Sequence, residues 1–467
     1  MADRNRPGDG PPPPHPTGRI ADEIDTARKT GPHRLRPLAG VLAATAVSVT
    51  GTRVSAIALP WFVLVTTGSA TLTGLVAFCE MAPYVLVKAL TGPLVDRVGP
   101  RVVSWSTDLV SAVAVLLIPL THSLHVLPFW LLLTLVAVVG AVRGPGDLAK
   151  EIMVPEAADR SRVPLERATG LAGVTERLAS TVGPAAGGAL VAFIGPLTGL
   201  VVNAVSFALG SVVIALVLPR GMGRPVGDDA ASVDGGGGAG YWRRLGEGFA
   251  FLRGERLLLT IIVMVGITNL LDAAFNAVLV PVWARESGGG PAVIGLTAAT
   301  AGIAAVCGSL IAAAVAHRLP RRLVFFAGFL LAGAPRWLIL ASGAPVWAVV
   351  AVFALSGFGA GFLNPILGAI SFERVPRQLL GRVRALGDSC AWAGIPLGGL
   401  LAGAAVASLG LMPVLLAGAA AYFCTTNLAA LRPEWKEMDR GRRPCTASSS
   451  ADAPHKPAKG IDAELNI

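Results

Sequence analysis

Twelve apolar runs, separated by short polar connections, occupy the chain between residues 38 and 431. Each run is about 20 residues or longer, which is the length that an α-helix needs to cross the hydrocarbon core of a bilayer. The pattern therefore predicts an all-α integral membrane protein with twelve transmembrane helices. The predicted spans are 38–66, 73–95, 102–121, 126–146, 168–192, 196–218, 256–283, 291–316, 321–341, 344–366, 383–407 and 409–431.

Basic residues are distributed unevenly among the connections between these spans. When a base in the first two positions of a span is counted with the preceding connection, 33 of the 39 Lys and Arg residues lie in the termini and the even-numbered connections. Five lie within spans, and one, Arg285, lies in an odd-numbered connection. Because basic residues resist translocation, the even-numbered connections and both termini are predicted to be cytoplasmic.

Composition supports the membrane assignment and narrows the expected partners. The chain is 53% hydrophobic and 15% charged, which is outside the range of ordinary soluble domains. Its net charge of +10 is spread over many short loops, so anionic lipid of the inner leaflet, and not nucleic acid, is the expected partner. The five cysteines show neither metal-binding spacing nor a paired framework, so no metal site is expected.

A long connection divides the spans six and six. It contains a run of four glycines at 235–238, typical of a flexible linker, and the segment 242–258 has apolar and basic residues at the spacing of an interfacial helix. The expected organisation is a polar cytoplasmic tail, a six-helix half, a cytoplasmic central loop, a second six-helix half and a disordered cytoplasmic tail, at 1–37, 38–218, 219–255, 256–431 and 432–467.

Two motifs recur in weaker form in the second half. The connection after the second span, from Gly92 to Arg101, has a worn copy from Ala313 to Arg322. The fifth span contains Gly183-Pro184-Ala-Ala-Gly187-Gly188, and the eleventh has a similar segment at 394–399. Small residues spaced by four allow close helix packing, and a proline bends the helix. Two similar six-span halves are the internal symmetry expected of a secondary transporter.

The Gly92 to Arg101 segment closely resembles the loop signature of the major facilitator superfamily, and the match extends over residues 38–431. The resemblance implies a major facilitator fold in which this loop packs against the other half as a gating latch. Pro100 stands where the family usually carries a base. The latch residues that the resemblance implies are Gly92, Asp96, Arg97, Gly99 and Arg101.

The fifth-span motif, with Gly183, Pro184, Gly187 and Gly188, resembles the signature of exporters in this superfamily. The segments 58–64 and 247–252 are similar to the macrolide and siderophore exporter branch. The resemblance implies a functional monomer in the bacterial cytoplasmic membrane that exports a drug-like or natural-product molecule by proton antiport. The energy source would be the proton gradient, with no cofactor.

Four ionisable residues lie deep within predicted spans: Arg53, Glu80, Asp272 and Arg336. At about 1.5 Å per residue, each is roughly 18–20 Å from the cytoplasmic end of its span, too far to reach the headgroups there. Such a residue is expected to face a wet cavity or a charged partner.

Glu80 and Asp272 are therefore candidate proton carriers. Asn269 and Asn276 share a helical face with Asp272, and with Arg53 and Arg336 they are candidate residues of a substrate cavity. The alternative is one silent ion pair in each half that fixes the helix register.

Four other ionisable residues within spans have different expectations. Lys88 and Arg143 lie near the cytoplasmic ends of their spans, where both are expected to anchor the helix at the headgroups. The roles of Glu176 and Arg177 stay open.

The alternative function is a proton-coupled uptake symporter or a facilitator with the same fold. A membrane-embedded enzyme is disfavoured because the sequence lacks H-E-x-x-H, G-x-S-x-G and P-loop motifs.

Overall fold

The computed structural model describes residues 35–219, 222, 249–315, 320–363, 366–367, 370, 374–375, 380–428 and 435. Within these residues the structure is all-helical and contains no strand. The tails at 1–34 and 436–467, most of the central loop and positions 316–319 of the worn loop copy lie outside the described residues. Of the predicted interfacial helix, residues 249–254 are described and helical.

The first half of the chain contains seven helices: α1 Arg36–Thr67, α2 Ala70–Leu90, α3 Gly92–Val98, α4 Pro100–Ser123, α5 Phe129–Ser161, α6 Leu165–Phe193 and α7 Pro196–Val217. The second half contains α8 Arg256–Ala274, α9 Val280–Glu286, α10 Gly290–Val315, α11 Arg321–Ala332, α12 Ala334–Ala341, α13 Val346–Gly361, α14 Leu380–Trp392, α15 Ile395–Leu409 and α16 Leu411–Phe423. A π-helical turn, Phe275–Leu279, joins α8 to α9, and another, Cys424–Leu428, follows α16.

Nine helices in the described ranges are long and apolar enough to cross a membrane. They are Arg36–Thr67, Ala70–Leu90, Pro100–Ser123, Phe129–Ser161, Pro196–Val217, Arg256–Glu286, Gly290–Ala312, Arg321–Ala341 and Leu386–Leu409. Val346–Gly361 and Leu411–Asn427 are shorter apolar helices, and α6 is long but more polar.

Local sequence explains the tight turn between α1 and α2. Gly68 ends α1 with φ of 69°, in the left-handed region that favours glycine. Ser69 then begins α2, because its side chain accepts a hydrogen bond from the Leu72 amide at 3.2 Å. Two consecutive residues thus reverse the chain.

Several boundaries differ from those predicted. The helix predicted at 126–146 begins at Phe129 and continues to Ser161, past Pro145 and Pro155, which lie inside it. The second predicted span ends at Leu90, and the short helix α3 follows as a separate element. Gly333 separates α11 from α12, so the predicted span 321–341 is broken in the middle.

The closest backbone contacts between the two halves lie at one end of the bundle, near Gly68, which we call the Gly68 end. Here α6 packs on α10 and α2 packs on α15. A Cβ atom added at Gly188 would lie 2.6 Å from the Gly295 Cα, so the absence of side chains is what allows this approach. Arg285 also donates to the Leu64 carbonyl across the halves, at 3.2 Å. The opposite end, with Leu90 to Pro100 and Ser161, is called the Gly99 end.

Candidate functional site

Glu80 on α2 pairs with Arg143 on α5. The Arg143 Nη1 donates to Glu80 Oε1 at 2.9 Å, and its Nε lies 3.7 Å from Asp147 Oδ2. Gly140 and Gly144 produce this alignment, since a Cβ at either position would clash with the α2 backbone at Glu80 or Tyr84. The expectation that Arg143 anchors the helix at the headgroups is wrong, because its side chain is 11% exposed and turns inward.

Tyr84 connects this pair to the other half of the protein. Its hydroxyl donates to Asp147 Oδ2 at 3.2 Å, and the Arg143 guanidinium lies 4.4 Å from its ring centroid. The Tyr84 ring stacks on Trp392 of α14, with centroids 6.4 Å apart. Lys88 lies 5.3 Å from the Trp392 ring and pairs with the exposed Glu151 at 3.1 Å. Trp392 was not predicted from the sequence, because depth within a span was used to select ionisable residues only.

A second ion pair in the first half, between Asp108 and Lys150, is almost fully buried. Lys150 Nζ lies 2.8 Å from Asp108 Oδ1, and the two side chains are 4% and 3% exposed. Ser48 completes the cluster by donating to Asp108 Oδ2 at 3.4 Å and accepting from Lys150 at 3.1 Å. The cluster was missed because Lys150 lies beyond the predicted end of its span. Asp108 lies inside a predicted span but only about 9 Å from its cytoplasmic end at 1.5 Å per residue, so it was not among the deep residues selected from the sequence.

In the second half, Asp272 of α8 forms an ion pair with Arg336 of α12. The Arg336 guanidinium lies over two aromatic rings, 4.8 Å from the centroid of Phe275 and 5.6 Å from that of Tyr422. The ion pair expected as the silent alternative is therefore present in this half. In the first half, Glu80 pairs with Arg143 and not with Arg53.

A cavity of about 460 Å³ surrounds the Asp272–Arg336 pair. All of its lining residues come from 265–422, so it lies in the second half. It brings together four residues predicted from the sequence, Asn269, Asp272, Asn276 and Arg336. The cavity beside Glu80 and Arg143 has a volume of only about 10 Å³.

Arg53 is exposed on α1 and does not line the large cavity. A Cβ at Gly183 would lie 2.5 Å from the Arg53 Cβ, so α6 packs directly against this part of α1. Glu176 and Arg177 are exposed and form no ion pair within the described part of the chain.

The predicted exporter motif lies where helices approach one another closely. A Cβ at Gly187 would lie 2.9 Å from the Val54 Cα of α1, and one at Gly188 would meet α10. Pro184 lies within α6, and its carbonyl oxygen would be 2.6 Å from a Cβ at Gly295.

The predicted latch residues lie in and beside α3. The principal contacts of α3 are with α2, α4 and α5, all in its own half. Arg97 is exposed, and Arg101 Nη2 donates to the Ala215 carbonyl of α7 at 2.7 Å. The side chain of Asp96 lies outside what the structure describes, as does the packing around Gly92, and Gly99 is buried between α3 and α4. Contact of this loop with the other half stays a prediction.

The described residues contain no group of three His, Cys, Asp or Glu side chains that could hold a metal ion.

Comparisons with known proteins show which fold and family these features represent. The chain is 30% identical over 406 residues to the multidrug efflux pump Tap of Mycobacterium tuberculosis, covering 85% of this chain and 94% of that pump. It is 23% identical over 407 residues to macrolide efflux protein A of Streptococcus pyogenes, covering 85% and 96%.

Two solved structures share the fold. The nucleoside transporter NupG matches with a TM-score of 0.64 and 15% identity, covering 86% of this chain and 98% of NupG. A bacterial homologue of the human lysosomal transporter Spinster, in an inward-facing and unoccupied conformation, matches with a TM-score of 0.63 and 14% identity, covering 89% and 100%.

The sequence profile described as Major Facilitator Superfamily matches residues 41–271 and 261–444, which is most of the chain. The predicted multi-pass membrane protein is thereby confirmed, and the chain belongs to the major facilitator superfamily.

Proposed function

We propose that the protein is a secondary active transporter of the bacterial cytoplasmic membrane that exports a drug-like or natural-product small molecule by proton antiport. The cavity of about 460 Å³ carries this proposal, because it places a charged pair within a bundle of membrane helices. Its volume falls in the range of about 300–1,000 Å³ typical of small-molecule sites. The names of the relatives, a multidrug efflux pump and a macrolide efflux protein, favour export.

The proposed topology has twelve membrane-crossing helices. They are the nine long apolar helices together with α6, Val346–Gly361 and Leu411–Asn427. The polar residues of α6, which include Glu176 and Arg177, suit a helix that faces water between the halves. The alternation of basic residues supports a cytoplasmic position for the Gly99 end and both termini, with the basic loops next to anionic lipid.

The close backbone contacts at the Gly68 end support a state that is closed at that end and open to the cytoplasm. The glycine contacts at 188 and 295 and the hydrogen bond from Arg285 to Leu64 lie at the Gly68 end, which this topology places outside. Separation of these contacts and closure at the Gly99 end would give the outward-open state. The Asp96 and Arg97 loop is the proposed latch of that closure. The contacts named for both states lie within a single chain, so the proposed working unit is a monomer.

Glu80 is the proposed main proton carrier, and Asp272 is a second candidate. Glu80 lies deep in α2, and its charge is balanced by Arg143. Protonation of Glu80 would release Arg143 toward Asp147, which lies 3.7 Å away, and loosen the link between α2 and α5. A carboxylate whose protonation changes helix contacts can connect a proton to the exchange of states.

The test is efflux by the wild-type protein and Glu80→Gln in a pump-deficient bacterial host and in inverted membrane vesicles. We expect the wild type to raise resistance to at least one amphipathic compound, and Glu80→Gln to abolish pH-driven efflux while substrate binding is kept. Asp96→Ala should slow transport. Glu156→Gln is the matched control, because Glu156 pairs with Arg160 on the surface of the same bundle.

Two results would contradict the proposal. Absence of any resistance shift would argue against drug export, and normal pH-driven efflux by Glu80→Gln would remove Glu80 as the proton carrier. Collapse of the proton gradient distinguishes export from uptake: intracellular substrate rises if the protein exports and falls if it is an uptake symporter.

A further inference from the structure

The wall of the large cavity presents oxygen atoms from one face of α8 and the π-helical turn after it. Asn269, Asp272 and Asn276 follow one another at i, i+3 and i+7, and all three line the cavity. Asn269 Nδ2 donates to the Ala391 carbonyl at 2.9 Å, and Asn276 Nδ2 donates to the Asp272 carbonyl at 2.7 Å. A carbonyl can only accept, so these bonds fix which amide atom is nitrogen. Each amide oxygen is then free for the cavity, and within the described residues neither accepts a hydrogen bond.

Asp272 adds a carboxylate oxygen to the same face. Its Oδ1 bonds Arg336, whereas its Oδ2 receives no hydrogen bond from any described residue. The Asp272 side chain is 35% exposed and that of Arg336 is 15% exposed. The two rings that hold Arg336 shield the cation, so the carboxylate is the partner that a ligand in the cavity can reach.

The hydroxyl groups of the Ser and Thr residues in the wall also present oxygen. Thr268 donates to the Val265 carbonyl at 3.0 Å, and Ser356 donates to the Ala332 carbonyl at 2.8 Å. Thr297 donates to the Val293 carbonyl at 2.9 Å. Since a hydroxyl has one proton, these groups retain only lone pairs. Among the Asn, Asp, Ser and Thr side chains that line the cavity, the groups without a donor bond of their own to satisfy are therefore hydrogen-bond acceptors.

We infer that the exported compound carries a protonated primary or secondary amine, which this face binds through its N–H groups. The inference rests on the proposed export function and specifies its substrate class. The N–H donors of a primary ammonium match the Asp272 Oδ2 and the amide oxygens of Asn269 and Asn276. The rest of the cavity wall is largely apolar and suits the body of an amphipathic molecule; it includes Val265, Ile294, Phe329, Phe353 and Leu363.

A quaternary ammonium fits the same wall poorly. It has no N–H group, and proteins bind it mainly through the faces of aromatic rings. Here the rings of Phe275 and Tyr422 beside the ion pair are occupied by the Arg336 guanidinium, which leaves Phe329 and Phe353 as the aromatic rings of the lining. The site should therefore distinguish two cations of equal charge by their hydrogen-bond donors.

The test compares two probes that share one aryl-alkyl body and end in a primary ammonium or a trimethylammonium group. Binding to the full-length wild-type protein in detergent is measured by titration calorimetry. The primary ammonium should bind about tenfold more tightly, as expected for hydrogen bonds to charged groups. Equal affinities, tighter binding of the trimethylammonium, or no binding of either probe would overturn the inference.

Variants then test the named oxygens. Asn269→Leu and Asn276→Leu should each weaken binding of the primary ammonium about tenfold and leave the trimethylammonium unchanged. Asn427→Leu is the matched control, because it makes the same substitution in the same half and does not line the cavity. An equal loss for both probes would indicate a packing effect and contradict the inference. If a variant fails to fold in size-exclusion chromatography, the wild-type comparison still decides.

Failure of this inference can be separated from failure of the proposed function. A flat susceptibility panel with the ammonium preference intact would refute export and leave the binding site standing. Efflux by a wild-type protein that shows no preference between the probes would support export and refute the amine site.

Discussion

The two halves hold similar charged pairs in opposite surroundings. In the first half, Asp108 and Lys150 are sealed from solvent, and the cavity beside Glu80 is only about 10 Å³. In the second half, the Asp272–Arg336 pair borders a cavity of about 460 Å³. Residue types alone therefore do not separate a structural ion pair from a binding site. Packing does, because it decides whether water or a ligand can reach the charges.

The cause of the difference lies in the helices around each pair. Glycines at 140, 144 and 146 bring α5 against α2 and α4, leaving little space beside the charges. In the second half, the pair lies next to the π-helical turn Phe275–Leu279 and the break at Gly333. Irregular helix geometry thus accompanies the open site, as is common for functional sites in helices.

The largest effect is expected from Lys150→Met, which leaves the Asp108 carboxylate buried without its partner. Removal of one member of a buried pair costs about 3–5 kcal/mol. Thermal unfolding in detergent measures the loss. Lys88→Met is the control, because the partner of Lys88, Glu151, is 65% exposed and the pair should contribute about 1 kcal/mol or less. Equal melting temperatures for the two variants would contradict the view that the first half is dry.

Arg336→Met makes the corresponding change in the second half, and a smaller loss of about 2 kcal/mol is expected. Water in the cavity can hydrate the Asp272 carboxylate, which is already 35% exposed. The same thermal unfolding measurement compares it with Lys150→Met. Equal destabilisation by Arg336→Met and Lys150→Met would contradict the proposal that water reaches the Asp272–Arg336 pair and not the Asp108–Lys150 pair.

The smallest effect on stability, about 1 kcal/mol, is expected from Trp392→Leu, which removes one stacked ring and one cation–π contact. The variant mainly tests transport, because the Trp392 side chain contacts Tyr84 and Lys88 and so connects α14 to α2. Trp392 also follows Ala391, whose carbonyl accepts from Asn269 in the cavity. We expect pH-driven efflux to fall severalfold while the affinity for the ammonium probe stays within about twofold. Trp347→Leu, at an exposed tryptophan of the same half, is the control. Unchanged efflux would contradict a role of Trp392 in connecting the Glu80–Arg143 pair to the cavity.

The sequence predicted the fold class well and the helix ends less well. Hydropathy reports the part of a helix that matches the membrane, so the extension of α5 to Ser161 was invisible to it. The number of spans, twelve, and the cytoplasmic position of the termini remain proposals.

The cavity residues were predictable because Asn269, Asp272 and Asn276 share one helical face, and Arg336 lies at a similar depth. The partner of Glu80 was not predictable by depth. Depth fixes the height of a residue in the membrane and leaves the rotation of its helix open. Gly140 and Gly144 set that rotation by placing α5 against α2, which brings Arg143 to Glu80.

The polarity of α6 has a consequence for how the protein is made. Alone among the long helices described between residues 35 and 217, Leu165–Phe193 is not apolar enough to count as a candidate span. Such a segment gains little from entering lipid when it leaves the ribosome and the translocon. Its own contacts show what retains it: Gly183 and Gly187 lie against α1, and Gly188 lies against Gly295 of α10. The last of these partners is synthesised about a hundred residues later. In the proposed twelve-helix topology, both α1 and a helix from the second half hold α6 in the membrane, so a chain truncated after α7 would lack part of the packing that retains this helix.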